Sequence, residues 1–277
     1  MSGIHSPSPG DPGRDREVPA RLPQISLAGW RPAGQNQRLM KRLLFSLLCL
    51  GLATTSPAQD AALPKSLIPV PRPEPGLVQR HESFNAISKQ GEAELVFLGD
   101  SITQGWDGAG KAAWTKTWAP LKAANFGIGG DRTEHVLWRL DHGNFDGLKP
   151  KLTVLMIGTN NTGHRMDPAA DTAAGVKAIV DKLRTKQPQM KVLLLGIFPR
   201  GEKADDAMRV RTTEINALLA KLADQPSVFY LDPTQTFVQP DGSLSKDVMP
   251  DFLHLSPEGY ARWTAAIEPR VKKLMGQ

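Results

Sequence analysis

Ser101 stands at the end of an apolar run, in "VFLGDSITQGW" from Val96 to Trp106. A serine in that position commonly caps a helix. It becomes a nucleophile only if an imidazole takes its proton and an acid fixes that imidazole's tautomer. One short segment, "DFLHLS" from Asp251 to Ser256, supplies both, with Asp251 and His254 three residues apart on a turn leading into a helix. Acyl transfer also needs donors aimed at the developing oxyanion. "GIGGD", Gly127 to Asp131, offers exposed backbone N–H groups, and Gly130 fits. "GTNN", Gly158 to Asn161, offers the side-chain amide of Asn160, and Ser101 adds its own N–H.

Each fragment alone is ordinary. Gly129-Gly130 is turn chemistry. Asn160 reads as a loop asparagine that tolerates left-handed geometry. Other histidines compete poorly for the role of base. His81 lies in a proline-rich lead-in, His135 and His142 lie in or beside a helix, and His164 has only Asp167 at useful spacing. No GxGxxG or Walker sequence supports a nucleotide site. No His, Asp or Glu cluster has metal-ligand spacing, so neither a metal nor a cofactor is expected.

The elements that must position these residues follow from periodicity. Short apolar runs predict strands at 94–99, 122–127, 152–158, 191–197 and 227–232. Stripes at helical spacing predict helices over 133–143, 167–188, 205–224 and 256–275. The last opens on Ser256 as cap with Pro257 at the first helical position. Strands alternating with helices imply an α/β fold with a parallel sheet covered on both faces. Functional groups then gather at the carboxyl ends of the strands. "GDS", "GIGGD" and "GTNN" each follow one strand, and "DFLHLS" precedes the last helix, so all four should meet at one edge.

The amino terminus reads as targeting sequence. Lys41 and Arg42 precede the apolar run Leu43–Ala53, and Ser56-Pro57-Ala58 is a small-x-small cleavage site. The run falls short of the ~20 residues a membrane span needs, which disfavours an N-terminal arm with an anchor. Residues 40–58 are therefore expected to be a signal peptide, with Met40 the true start and 1–39 a disordered or mis-assigned upstream extension. The mature protein is expected to be secreted or periplasmic, without a stable membrane span. The sole cysteine, Cys49, lies inside the apolar run, so the mature chain has no disulfide and no thiolate. Residues 59–80, with five prolines, read as a stiff lead-in, and 81–277 as one domain. Residues 1–58 carry seven basic and three acidic groups, an excess of four, which leaves only two of the six net positive charges to 59–277. That is too weak a balance for a nucleic-acid footprint.

Taken together, Ser101, Gly130, Asn160 and His254 resemble the four named blocks of the SGNH, or GDSL, hydrolase superfamily. "NFGIGGDRTEHVLWRL", "GTNN", "PRGEK" and "DFLHLS" resemble most closely the catalytic subunits of the intracellular platelet-activating factor acetylhydrolases. The resemblance spans roughly residues 92–270. It implies a flavodoxin-like three-layer αβα sandwich with a five-stranded parallel sheet in the order 2-1-3-4-5, a Ser101–His254–Asp251 triad and no cofactor. It also implies a short acyl pocket walled by Ile102, Thr159 and Leu253. Those acetylhydrolases are cytosolic whereas this chain carries an export signal, so the ester is left as an acetylated sugar or lipid.

The expected function is a serine esterase acting on short, acetyl-type O-acyl esters. An acyltransferase sharing the same acyl-enzyme, or a non-catalytic carbohydrate-binding module on the same fold, is the alternative. The sequence leaves a homodimer open.

Overall fold

Five short apolar segments lie side by side in the computed structural model, which describes residues 62–277. The signal peptide, the upstream extension, the cleavage site and Cys49 lie outside the described residues. In chain order the main elements are α1 (Pro75–Gln90), β1 (Leu95–Gly99), α2 (Ser101–Gln104), β2 (Ala123–Gly127), α3 (Thr133–Asp141) and β3 (Leu152–Met156). They continue with α4 (Thr159–Arg165), α5 (Ala169–Lys186), β4 (Lys191–Leu195), α6 (Ala207–Leu219), β5 (Val228–Leu231) and α7 (Pro257–Met275). Short helical turns fill Gly105 to Leu121.

The sheet order is β2-β1-β3-β4-β5 and every pairing is parallel, as expected. Alternate strand residues feed two cores, because successive side chains point to opposite faces. Val96, Leu98, Phe126, Leu155 and Leu194 pack against α1, α3, α5 and α6. Leu95, Phe97, Val154 and Leu193 pack on the other face against α7 and an aromatic group of Trp106, Trp118, Tyr260 and Trp263. Burying each such large side chain contributes about 1.5–3 kcal/mol before entropy is counted. The result is a three-layer αβα sandwich. No helix among the described residues is long and apolar enough to cross a membrane.

The register aligns the strand ends that matter. Gly99 pairs with Gly127 on one side and with Met156 on the other. The segments after β1, β2 and β3 therefore leave the sheet at one level.

The lead-in differs from its expected form. Helix α1 begins at Pro75, inside the 59–80 range, and His81 is a buried residue of that helix. Ser66 is buried, and its hydroxyl donates to Asp171 O at 2.7 Å. Prolines fix the chain locally but do not keep it from packing. The domain thus starts well before residue 81.

Candidate active site

Asp100, not Ser101, caps the helix after β1. Its Oδ1 accepts from Ile102 N at 3.0 Å, which leaves the Ser101 hydroxyl uncommitted to the backbone. That hydroxyl lies 2.9 Å from His254 Nε2, and His254 Nδ1 lies 2.7 Å from Asp251 Oδ2. Asp251 Oδ1 accepts from the backbone N–H of His254 at 2.7 Å and of Leu253 at 3.1 Å, so the turn itself orients the carboxylate. Partial burial pushes the Asp251 carboxyl up, but hydrogen bonds from His254 outweigh it and hold it below its ordinary value. An ionised Asp251 accepts a hydrogen bond from Nδ1–H and so keeps the proton on Nδ1, which leaves Nε2 free to accept from the serine.

The nucleophile turn is clamped from both sides. Tyr260 on α7 donates its hydroxyl to Ile102 O at 2.6 Å. On the other side, a Cβ on Gly127 would lie 2.6 Å from Thr103 C and 2.8 Å from Asp100 O. Only glycine lets β2 pass that close to α2. Gln104, at the end of α2, accepts from Gly129 N at 2.7 Å and draws the glycine turn over the serine. A Cβ on Gly129 would sit 3.8 Å from Ser101 Cβ.

Gly130 has φ +76°, left-handed backbone that glycine adopts without cost. Among the described residues, neither Gly130 N–H nor Ser101 N–H has a protein acceptor. Asn160 is in helix α4 instead of a loop; it is buried, and its Nδ2 donates to Asp131 O at 3.0 Å. The next residue, Asn161, accepts from Thr133 N at 3.1 Å and ties α4 to the start of α3. Arg200, from the "PRGEK" segment, donates through Nη1 to Thr159 O at 2.8 Å and to Thr159 Oγ1 at 3.1 Å.

The structure thus brings Ser101, His254 and Asp251 into one chain of hydrogen bonds and carries Gly130 and Asn160 on the loop and helix beside it. It does not bear out the expected acyl wall in full. Ile102 is 1% exposed and packs into the core under α7, and Thr159 is 2% exposed and held by Arg200. Neighbours along a helix point about 100° apart, so a residue next to a catalytic one faces elsewhere. Only Leu253, half-buried against the same core, keeps exposed surface near the histidine. Gln104, Tyr260, Asn161 and Arg139 are functional-looking residues that the spacing of motifs missed. Arg139 alone left a signal: a cation three residues after Val136, on the helix stripe that is otherwise apolar.

Comparison with known proteins gives the family and the fold. The model of the GDSL-like lipase/acylhydrolase family matches residues 97–262. The human platelet-activating factor acetylhydrolase IB subunit alpha1 is 41% identical over 198 residues, covering 71% of this chain and 83% of the relative. The alpha2 subunit from Gallus gallus is 40% identical over 199 residues, 72% and 84% of the two chains. Among solved structures, a GDSL-like lipase from Bacteroides thetaiotaomicron superposes with TM-score 0.58 at 21% identity, covering 70% of this chain and 97% of that one. An acetylxylan esterase from Geobacillus stearothermophilus gives TM-score 0.52 at 18% identity, covering 68% and 97%. The chain belongs to the GDSL-like lipase/acylhydrolase family and is a carboxylic ester hydrolase.

Proposed function

We propose that the protein removes acetyl-type acyl groups from oxygen esters through an acyl-enzyme on Ser101. The observation that carries this is the relay Ser101 Oγ to His254 Nε2 at 2.9 Å and His254 Nδ1 to Asp251 at 2.7 Å. Ser101 Oγ attacks the ester carbonyl as His254 takes its proton. Asp251 stabilises the imidazolium. Negative charge develops on the carbonyl oxygen, and the Ser101 N–H, the Gly130 N–H and the Asn160 amide are the donors on hand to receive it. His254 then protonates the leaving alkoxide. Water, deprotonated by His254, attacks the acyl-enzyme and frees the acid and Ser101.

Two things support an acetyl-sized acyl group. Relatives about 40% identical are named acetylhydrolases. Leu253, next to His254 in the chain and half-buried, is the expected wall residue that keeps exposed surface beside the histidine. The export signal read at residues 40–58 supports work outside the cytoplasm, on an acetylated sugar or lipid.

A panel of p-nitrophenyl esters from acetyl to octanoyl, with acetylated xylan and an acetyl-glycerophospholipid beside it, tests the reading on wild type and Ser101→Ala. Acetyl or propionyl esters should be best. Ser101→Ala should lose several powers of ten in rate while staying folded. Activity of Ser101→Ala within tenfold of wild type would overturn the nucleophile assignment. A preference for octanoyl would overturn the acetyl assignment. Sequencing the exported protein's amino terminus checks the start expected near Gln59.

A further inference from the structure

Two charged residues beneath the glycine turn have no part in the relay just described. Asp131 is fully buried and Arg139 is 3% exposed. They lie eight residues apart, Asp131 two residues before the start of α3 and Arg139 in its last turn. Arg139 Nη1 donates to Phe126 O at 3.0 Å and to Asn144 Oδ1 at 3.2 Å. Its Nη2 donates to Gly99 O at 3.3 Å. Its Nε faces Asp131 Oδ2 at 3.0 Å, an ion pair poorly aligned for a directed hydrogen bond. Arg72 Nη1 stands 3.5 Å from the other carboxylate oxygen, and His135 Nδ1 3.8 Å from it.

Apart from Asn144, the partners of this one guanidinium lie on the segments that carry Ser101 and Gly130, and through Asp131 they reach Asn160. Gly99 is two residues before Ser101. Phe126 is the last residue but one of β2, just ahead of the glycine turn. Asp131 follows Gly130 directly, and its own carbonyl receives the Asn160 amide. Resting on the triad reading above, we propose that Asp131 and Arg139 are a positioning pair for the oxyanion hole, setting the mutual placement of the Ser101, Gly130 and Asn160 donors. The planar fork of arginine suits this because it donates in several fixed directions at once, which a lysine ammonium cannot do. Burial pushes the Asp131 carboxyl up to about 6, and Arg139 and then Arg72 pull against that rise. The pair therefore holds a charge that the site would otherwise expel.

A positioning role predicts loss in the transition state, not in substrate binding. Arg139→Lys should lower kcat about 10²-fold on p-nitrophenyl acetate, as loss of a hole donor does, with KM changed less than about threefold. Asp131→Asn, which keeps the shape and removes the charge, should lower kcat about tenfold and serves if the lysine variant does not fold. The deciding measurement is the double variant with Asn160→Ala. If the pair acts through the hole, adding Arg139→Lys or Asp131→Asn to Asn160→Ala should cost clearly less than the same change costs in wild type, because part of the placement it sets is already lost. Multiplicative effects, or losses confined to KM, would overturn the inference. Failure of the triad reading is distinguishable, since it shows as an active Ser101→Ala variant.

Discussion

Gly127→Ala tests the close passage of β2 under the nucleophile turn. The added methyl would sit 2.6 Å from Thr103 C and 2.8 Å from Asp100 O, against 3.4 Å for ordinary contact. The shortfalls of about 0.6–0.8 Å fall on backbone, which cannot swing aside as a side chain can. Either β2 retreats or α2 does, and α2 carries Ser101 at its first position. A displacement near 1 Å in reacting geometry costs about 10²-fold in rate. Overpacking of this kind costs about 1–3 kcal/mol, which for a domain of this size lowers Tm by about 2–12 °C. Thermal melts and kcat/KM on p-nitrophenyl acetate read both quantities. Gly76→Ala is the control, because a methyl there meets nothing within 4 Å. It should leave activity unchanged. If Gly127→Ala keeps kcat/KM within about threefold of wild type, the turn is not held by this contact and the steric argument fails.

Asn160→Ala should lower kcat by about 10²–10³ with KM nearly unchanged. It should also lower Tm, because Asp131 O loses a buried donor, a cost of about 1–3 kcal/mol; an effect on KM alone would make Asn160 a ground-state ligand. Leu253→Ala should shift the preferred ester toward butyryl or hexanoyl, and an unchanged chain-length profile would remove Leu253 from the acyl wall. Asp100→Asn should raise stability increasingly with pH. Burial raises the Asp100 carboxyl from 3.8 to about 7, so its ionisation costs the fold. That cost is absent below the unfolded value near 4 and grows as pH rises toward 7, reaching on the order of 4 kcal/mol. Parallel Tm-against-pH curves for the two proteins would refute it.

The sheet was legible because each strand is apolar nearly throughout, as burial on both faces demands. Val154 and Leu194 had to be strand residues on that ground alone. Helix α1 was not legible, since three of the four residues it buries, His81, Asn85 and Ser88, are polar and make no apolar stripe. The segment from Gly105 to Leu121 changes its turn geometry several times, so Trp106 and Trp118 have no period to announce them. The relay could be read because Ser101, Asp251 and His254 are chemically distinctive residue types, the last two within one short segment. The pair of Asp131 and Arg139 could not, because alternating charge along a helix start reads as a solvated face. Ile102 and Thr159 depart from the expected wall for the opposite reason: each is adjacent to a site residue in sequence, but helical geometry turns it into the interior.

His254 and Asp251 keep about half of their side-chain surface in water, at 47% and 56%. Asp251 also holds two backbone N–H groups of its turn, but among the described residues the His254 ring bonds only to Ser101 and Asp251, and replacing an exposed side chain of that kind changes stability by only about 0.5 kcal/mol. At His254, unlike Gly127 or Asn160, turnover and foldedness are thus separable. A gene copy that loses His254 still yields an intact body with every other surface unchanged. Selection for solubility or abundance is blind to that loss, and only selection for the reaction itself keeps the residue in place.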